Sequence, residues 1–241
     1  MKKKVIFGVF KLKNIFINAC IFTLLGIIAA VAFLGGNDEV MVDNSAKMAY
    51  YNGNQKNPNI SLMVNVYWGT EYLEQMLDIF KENDVKTTFF LGGMWVLDNE
   101  ALVKQMQAEG HELANHGYKH KSQDKLTYEQ AKTEIETTDN LIKKLTDVKM
   151  ELFAPPSGAY NEQTINVATE LGYKTIMWSK DTIDWRDHDK TLILKRATNN
   201  LKNGDLILMH PTEATVQALP DIIKEIKQQG YNLTTVSKCL V

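Results

Sequence analysis

The sequence predicts an α/β fold, a distorted (β/α) barrel of about seven parallel strands, preceded by one N-terminal transmembrane helix. Three observations carry that reading. From Ile60 onward, short apolar runs alternate with longer amphipathic ones, the pattern of βα units around a parallel sheet. No glycine-rich phosphate loop follows the first strand, which disfavours a dinucleotide-binding sheet and leaves the closed or nearly closed barrel. Ahead of these units, Ile15 to Leu34 reads "IFINACIFTLLGIIAAVAFL", an uncharged stretch that as a helix would span about 30 Å, a bilayer core.

The N-terminal part divides into a basic tail (1–14), the apolar run (15–34) and a linker (35–57). The tail carries Lys2, Lys3, Lys4, Lys11 and Lys13, and "GGNDE" follows the run. The positive-inside rule then keeps the N-terminus cytoplasmic and the remainder extracytoplasmic, a single-pass cell-membrane protein. A cleaved signal peptide is the competing reading, because Ala30-Val31-Ala32 resembles a cleavage site; its length favours the uncleaved anchor. The linker is rich in Gly, Asn, Asp and Ser, with room for a short first strand at "MAYYN". Of the two cysteines, Cys20 lies in the apolar run and Cys239 near the C-terminus, a separation that speaks against a disulfide.

The barrel domain is expected over 58–241. "ISLMVN" is a buried strand, and "TEYLEQMLDIFKEN" places Leu73, Met76, Leu77 and Phe80 at helical spacing. "VKTTFFL" is a strand rich in β-branched and aromatic residues, followed by the helix "NEALVKQMQAEG" and the short strand "HELANH". Thr127 and Gln130 form a capping box at the head of a long helix. "ELFAPP", "YKTIMWS", "DLILMH" and "YNLTTV" are the later strands, with helices at "NEQTINVATELG", near 190–201 and near 215–229. The formal charge of −2 comes with no basic patch, which excludes nucleic acid as a partner.

Barrel active sites form at the C-terminal ends of strands. Five stretches fall there: "NVYWG", "HGYKH", "APPSG", "DTIDW" and "LMH". His116 and His120 are four apart, which on a helical turn puts both imidazoles on one face, a zinc-binding arrangement; the alternative is a solvent-facing pair. His210 ends an apolar strand and is suited to acid–base chemistry, or to bonding a loop carbonyl. Asp181 and Asp184 can orient a histidine or cap a turn. Trp185 is core or an exposed platform for a sugar ring. Pro155 and Pro156 stiffen one loop, and Gly158 allows a sharp turn.

Taken in order, "KTTFFLGGMW", "GHELANHGYKH", "LFAPPSGAYN", "LGYKTIMWSKDTIDW" and "GDLILMHPTEATVQALPDIIKEIKQQGY" resemble the NodB-type polysaccharide deacetylases, carbohydrate esterase family 4, and within them the sporulation-associated branch. The resemblance covers residues 58–241. It implies a metal-dependent hydrolase that removes N-acetyl groups from amino sugars of cell-wall glycan. It implies a divalent metal, zinc, on His116 and His120, with His210 as general acid and Asp181 as the carboxylate that tunes it. It also gives Leu208 and Trp185 to the acetyl pocket, with Tyr67, Trp68, Pro155 and Pro156 around it.

The first block departs from that family. Its usual T-F-D-D-G supplies a base and a metal ligand. One placement puts Asn65 and Val66 at those positions, and a placement anchored on Gly69 puts Tyr67 and Trp68 there; neither offers a carboxylate. The arginine that usually holds the base is replaced by Ala154. Asparagine takes no proton, and general-base help is worth about 10²–10⁴-fold. The expectation is a hydrolase with an atypical base side; the alternative is a catalytically degenerate relative that binds or scaffolds glycan.

Overall fold

The computed structural model describes residues 48–241 and, outside them, only Thr23. The expected anchor, the basic tail, Cys20 and most of the linker lie outside the described residues. No helix among the described residues is long and apolar enough to cross a membrane.

Among the described residues nine strands make one sheet, and the strands pair in parallel. They are β1 (Ala49–Tyr50), β2 (Asn59–Val66), β3 (Thr88–Leu91), β4 (Glu112–Asn115), β5 (Leu152–Phe153), β6 (Lys174–Ile176), β7 (Lys180–Asp181), β8 (Leu206–Met209) and β9 (Asn232–Leu233). The order is β1-β6-β5-β4-β3-β2-β8-β7, with β9 beside β2. The expected strand "YKTIMWS" forms only over β6, which pairs β5; just beyond its end the chain forms β7, which pairs β8. The segment changes partner over residues 177–179, where the Ser179 amide already donates to the Leu206 carbonyl. One chain segment therefore joins the two ends of the strand path, which gives the distorted (β/α) barrel. The sheet also begins ahead of residue 58, since Ala49 and Tyr50 pair with Thr175 and Ile176.

The helices follow the amphipathic runs: α1 (Thr70–Glu82), α2 (Gly93–Asp98), α3 (Glu100–Ala108), α4 (Tyr128–Thr146), α5 (Glu162–Glu170), α6 (Asp184–Asp187), α7 (Lys190–Thr198), α8 (Glu213–Gln228) and α9 (Val236–Cys239). The Thr127–Gln130 capping box closes the N-terminus of α4.

Strand alternation splits the core in two. Ile60, Leu62, Val64 and Val66 of β2 face outward and pack with Leu73, Met76, Leu77 and Phe80 of α1 and Ile222, Ile223 and Ile226 of α8. Met63, Phe90, Ala114, Ile176, Leu206 and Leu208 fill the interior, plugged from below by Val236 and Cys239 of α9. Cys239 is buried and unpaired with another cysteine among the described residues. Asn65 lies two residues beyond Met63, so it shares the inward parity at the C-terminal end of β2.

Candidate active site

A cavity of about 600 Å³ opens at the C-terminal ends of the strands, and Asn65, Tyr67, Trp68, His116, His120, Asp181, Trp185, Leu208 and His210 all line it. The strand-end residues are thus brought together. The two prolines are not part of the wall. Pro155 and Pro156 are buried behind it, and their loop contributes Ser157 instead. Ser157 and Trp178 are lining residues that sequence reasoning missed; neither carries a local signal beyond its position after an apolar run.

His116 follows β4. Its Nδ1 lies 2.7 Å from the Ala154 carbonyl, which can only accept, so Nδ1 carries the proton and Nε2 keeps its lone pair. His120 reaches the same place by a loop rather than the expected helical turn. The Gly117 amide donates to Asn115 Oδ1, and the Tyr118 and Lys119 amides donate to the buried Glu134 carboxylate of α4 at 2.9 and 2.7 Å. His120 itself adopts a left-handed φ of 52°. The two imidazoles end 5.1 Å apart, edge to face. Burial, with His120 and His210 adding to it, pushes His116 down to about 3; burial, then the charge of His210, lowers His120. Both are neutral at physiological pH.

His210 follows β8. Its carboxylate partner is Asp184, not Asp181. His210 Nδ1 donates to Asp184 Oδ1 at 2.8 Å, the His210 amide donates to Oδ2 at 2.6 Å, and Thr215 Oγ1 donates to the same Oδ2 at 2.6 Å. Asp184 is fully buried and caps nothing; these three bonds hold it. Asp181 ends β7, half-buried, and its Oδ1 accepts from the Ile183 amide at 2.8 Å. Ile183, at φ 53°, turns the chain between the two. Sequence reasoning singled out Asp184 as a candidate but gave its role to Asp181.

The structure locates the residues of both placements of the first block. Gly69 has φ 77°, and a Cβ there would collide with the Pro211 carbonyl oxygen, so only glycine fits. The two residues before it are Tyr67 and Trp68. The Tyr67 ring stacks on His120 at 4.6 Å and the Trp68 ring lies parallel to His210 at 5.9 Å. Val66 faces the outer core. Asn65 sits beneath at the cavity floor, 5% exposed, with Oδ1 lacking any partner.

This donor set does not match the metal centre that the resemblance implies. Two imidazoles converge, but the positions beside them hold aromatic rings and a neutral amide. Among the described residues no group of three His, Cys, Asp or Glu side chains is arranged to hold a metal ion.

Comparison with known proteins agrees with this geometry. Residues 52–176 match the polysaccharide deacetylase family model. An uncharacterized Bacillus subtilis protein, YlxY, is 40% identical over 79% of this chain and 60% of its own length. A peptidoglycan-N-acetylglucosamine deacetylase of Bacillus cereus is 35% identical over 70% of this chain and 82% of its own. Among solved structures, a carbohydrate esterase family 4 pseudoenzyme from Bacillus anthracis superposes with a TM-score of 0.80 at 34% identity, covering 83% of this chain and 71% of that one. A mutant of that pseudoenzyme with restored enzymatic activity superposes equally well. With more than half of its length matched by the family model and a deacetylase relative 35% identical to it, the chain belongs to the polysaccharide deacetylase family.

Proposed function

We propose that this chain binds amino-sugar glycan of the bacterial cell wall in the barrel cavity and is hydrolytically degenerate. The observation that carries this is the first block itself: Tyr67 and Trp68 stack on His120 and His210, and Asn65 and Val66 before them are uncharged, so neither placement of the family motif supplies a carboxylate. Water activation by a metal hydroxide needs a ligand set and a base; the cavity offers neither a third anionic ligand nor a base at those positions. It does offer what sugar binding uses: exposed indole faces at Trp68 and Trp185, and polar groups between them. The lysine-flanked apolar run supports a membrane tether that holds the domain on the wall side.

The second reading is a weak N-acetyl hydrolase. It is favoured by the intact acid half, in which Asp184 and Thr215 fix His210 with Nε2 toward the cavity. A separate acid is what an amine leaving group requires.

Zinc content and amine release from peptidoglycan decide between them. The full chain is expected to bind peptidoglycan without chelator sensitivity and to release no amine. Tyr67→Asp with Trp68→Asp is expected to create a chelator-sensitive zinc site. Amine release by the unaltered chain, abolished by His210→Ala, would overturn the degenerate reading in favour of the second one.

A further inference from the structure

The lining of the cavity is unusual in charge as well as shape. Four aromatic side chains, Tyr67, Trp68, Trp178 and Trp185, surround one half-buried carboxylate, Asp181, and no lysine or arginine lines the wall. Asp181 spends one oxygen on the Ile183 amide; the other has no partner. Arg186 is the nearby cation: its Nε and Nη2 donate to Asp187 at 2.6 and 3.0 Å, a carboxylate it shares with Arg196, and its charge also acts on Asp181, but it does not line the cavity. At the floor, the Asn65 oxygen is a second acceptor without a donor, and His116 presents a third through its free Nε2.

We propose that the cavity is selective for a free primary ammonium, the 2-amino group of a de-N-acetylated sugar within a glycan chain, over the acetamido form. The proposal rests on the glycan-binding reading above and names the chemical form of the glycan. An ammonium brings three N–H donors and one positive charge. The cavity answers with unpartnered acceptors, one carboxylate with no lysine or arginine beside it in the wall, and aromatic faces, which attract cations through the ring quadrupole. An acetamido group brings one N–H and no charge, so it satisfies fewer of these acceptors and gains nothing from the carboxylate. The charge balance points the same way. A site stripped of its motif carboxylates no longer matches a divalent ion, while a single carboxylate among neutral acceptors matches a single positive charge.

The test is calorimetric titration of the full chain, with chelator present, against a glucosamine tetramer and an N-acetylglucosamine tetramer at about pH 6, where the amine is charged. The expected result is about ten-fold tighter binding of the amine form. Asp181→Asn, a near-isosteric change of a half-buried group, is expected to cut that preference at least about three-fold while both tetramers still bind. Equal or tighter binding of the acetylated tetramer overturns the proposal and leaves the glycan-binding reading standing. A preference undiminished in Asp181→Asn overturns it as well, because the selectivity would then lie elsewhere. Failure of both tetramers to bind removes the glycan-binding reading and this proposal together.

Discussion

Replacing Asp184 by asparagine isolates the strongest polar construction at the site. The carboxylate is fully buried and accepts from His210 Nδ1, the His210 amide and Thr215 Oγ1. Hydrogen bonds to a charged group contribute about 1.5–3 kcal/mol each, against about 0.5–1.5 for neutral ones. An asparagine oxygen at the Oδ2 position keeps the two bonds there in neutral form. Its NH₂ then meets His210 Nδ1–H donor to donor, and the imidazole must move its proton to Nε2. About 1 kcal/mol lost at each of three bonds, offset in part by no longer burying a charge, leaves a net destabilisation of roughly 1–3 kcal/mol. Asp181→Asn, with one backbone bond and partial exposure, should cost about 0.5 kcal/mol or less. Urea unfolding followed by tryptophan fluorescence measures both, and ¹⁵N spectra of the histidines report the tautomer. The reasoning is refuted if Asp184→Asn is as stable as the unaltered chain with His210 still protonated at Nδ1, or if Asp181→Asn costs more.

Two further predictions concern the frame of the site. Gly69→Ala forces a side chain into a left-handed backbone and against the Pro211 carbonyl, and is expected to lower stability by roughly 2–4 kcal/mol in chemical denaturation; a loss under about 1 kcal/mol would show the turn is free to shift. His111 is buried and its Nδ1 accepts from the Thr87 amide at 3.2 Å, while burial first and Lys86 second lower it from 6.5 to about 4 despite Glu109. Its folded value lies below its unfolded one, so its contribution is complete above about pH 6.5 and is lost as the pH falls through 4. Unfolding free energies at pH 7.5 and pH 4.5 should therefore converge by roughly 2–3 kcal/mol in His111→Asn relative to the unaltered chain; an unchanged difference would assign acid sensitivity to other groups.

Much of the fold was legible because its signals are local. Apolar runs of strand length, helical spacing at Leu73, Met76, Leu77 and Phe80, and the Thr127–Gln130 box each depend on residues within a few positions of one another. The same holds for the chemistry-bearing side chains, since the barrel rule sends strand-end residues to one mouth, and they line one cavity. The strand expected over "YKTIMWS" stops at Ile176 and a separate β7 follows it, because hydropathy does not register a change of partner; the exchange from β5 to β8 exists only once the barrel has curved round.

Residue types and their order were enough to show that the motif carboxylates are gone, that two histidines and a third remain, and that the fold is a barrel. Pairing across long separations needed the folded chain. Asp181 and Asp184 are alike in sequence, and only the left-handed turn at Ile183 sends one inward to a histidine 26 residues away and leaves the other facing the cavity. Asn65 and Tyr67 were equal candidates for one role in the sequence, and the folded chain gives them different places: Asn65 buried at the inward end of β2, Tyr67 stacked on His120. Composition identifies which chemistry is affordable, but three-dimensional chain path decides which groups meet. Here it has set aromatic rings over His120 and His210 and hydrogen-bonded the Asp184 carboxylate to His210.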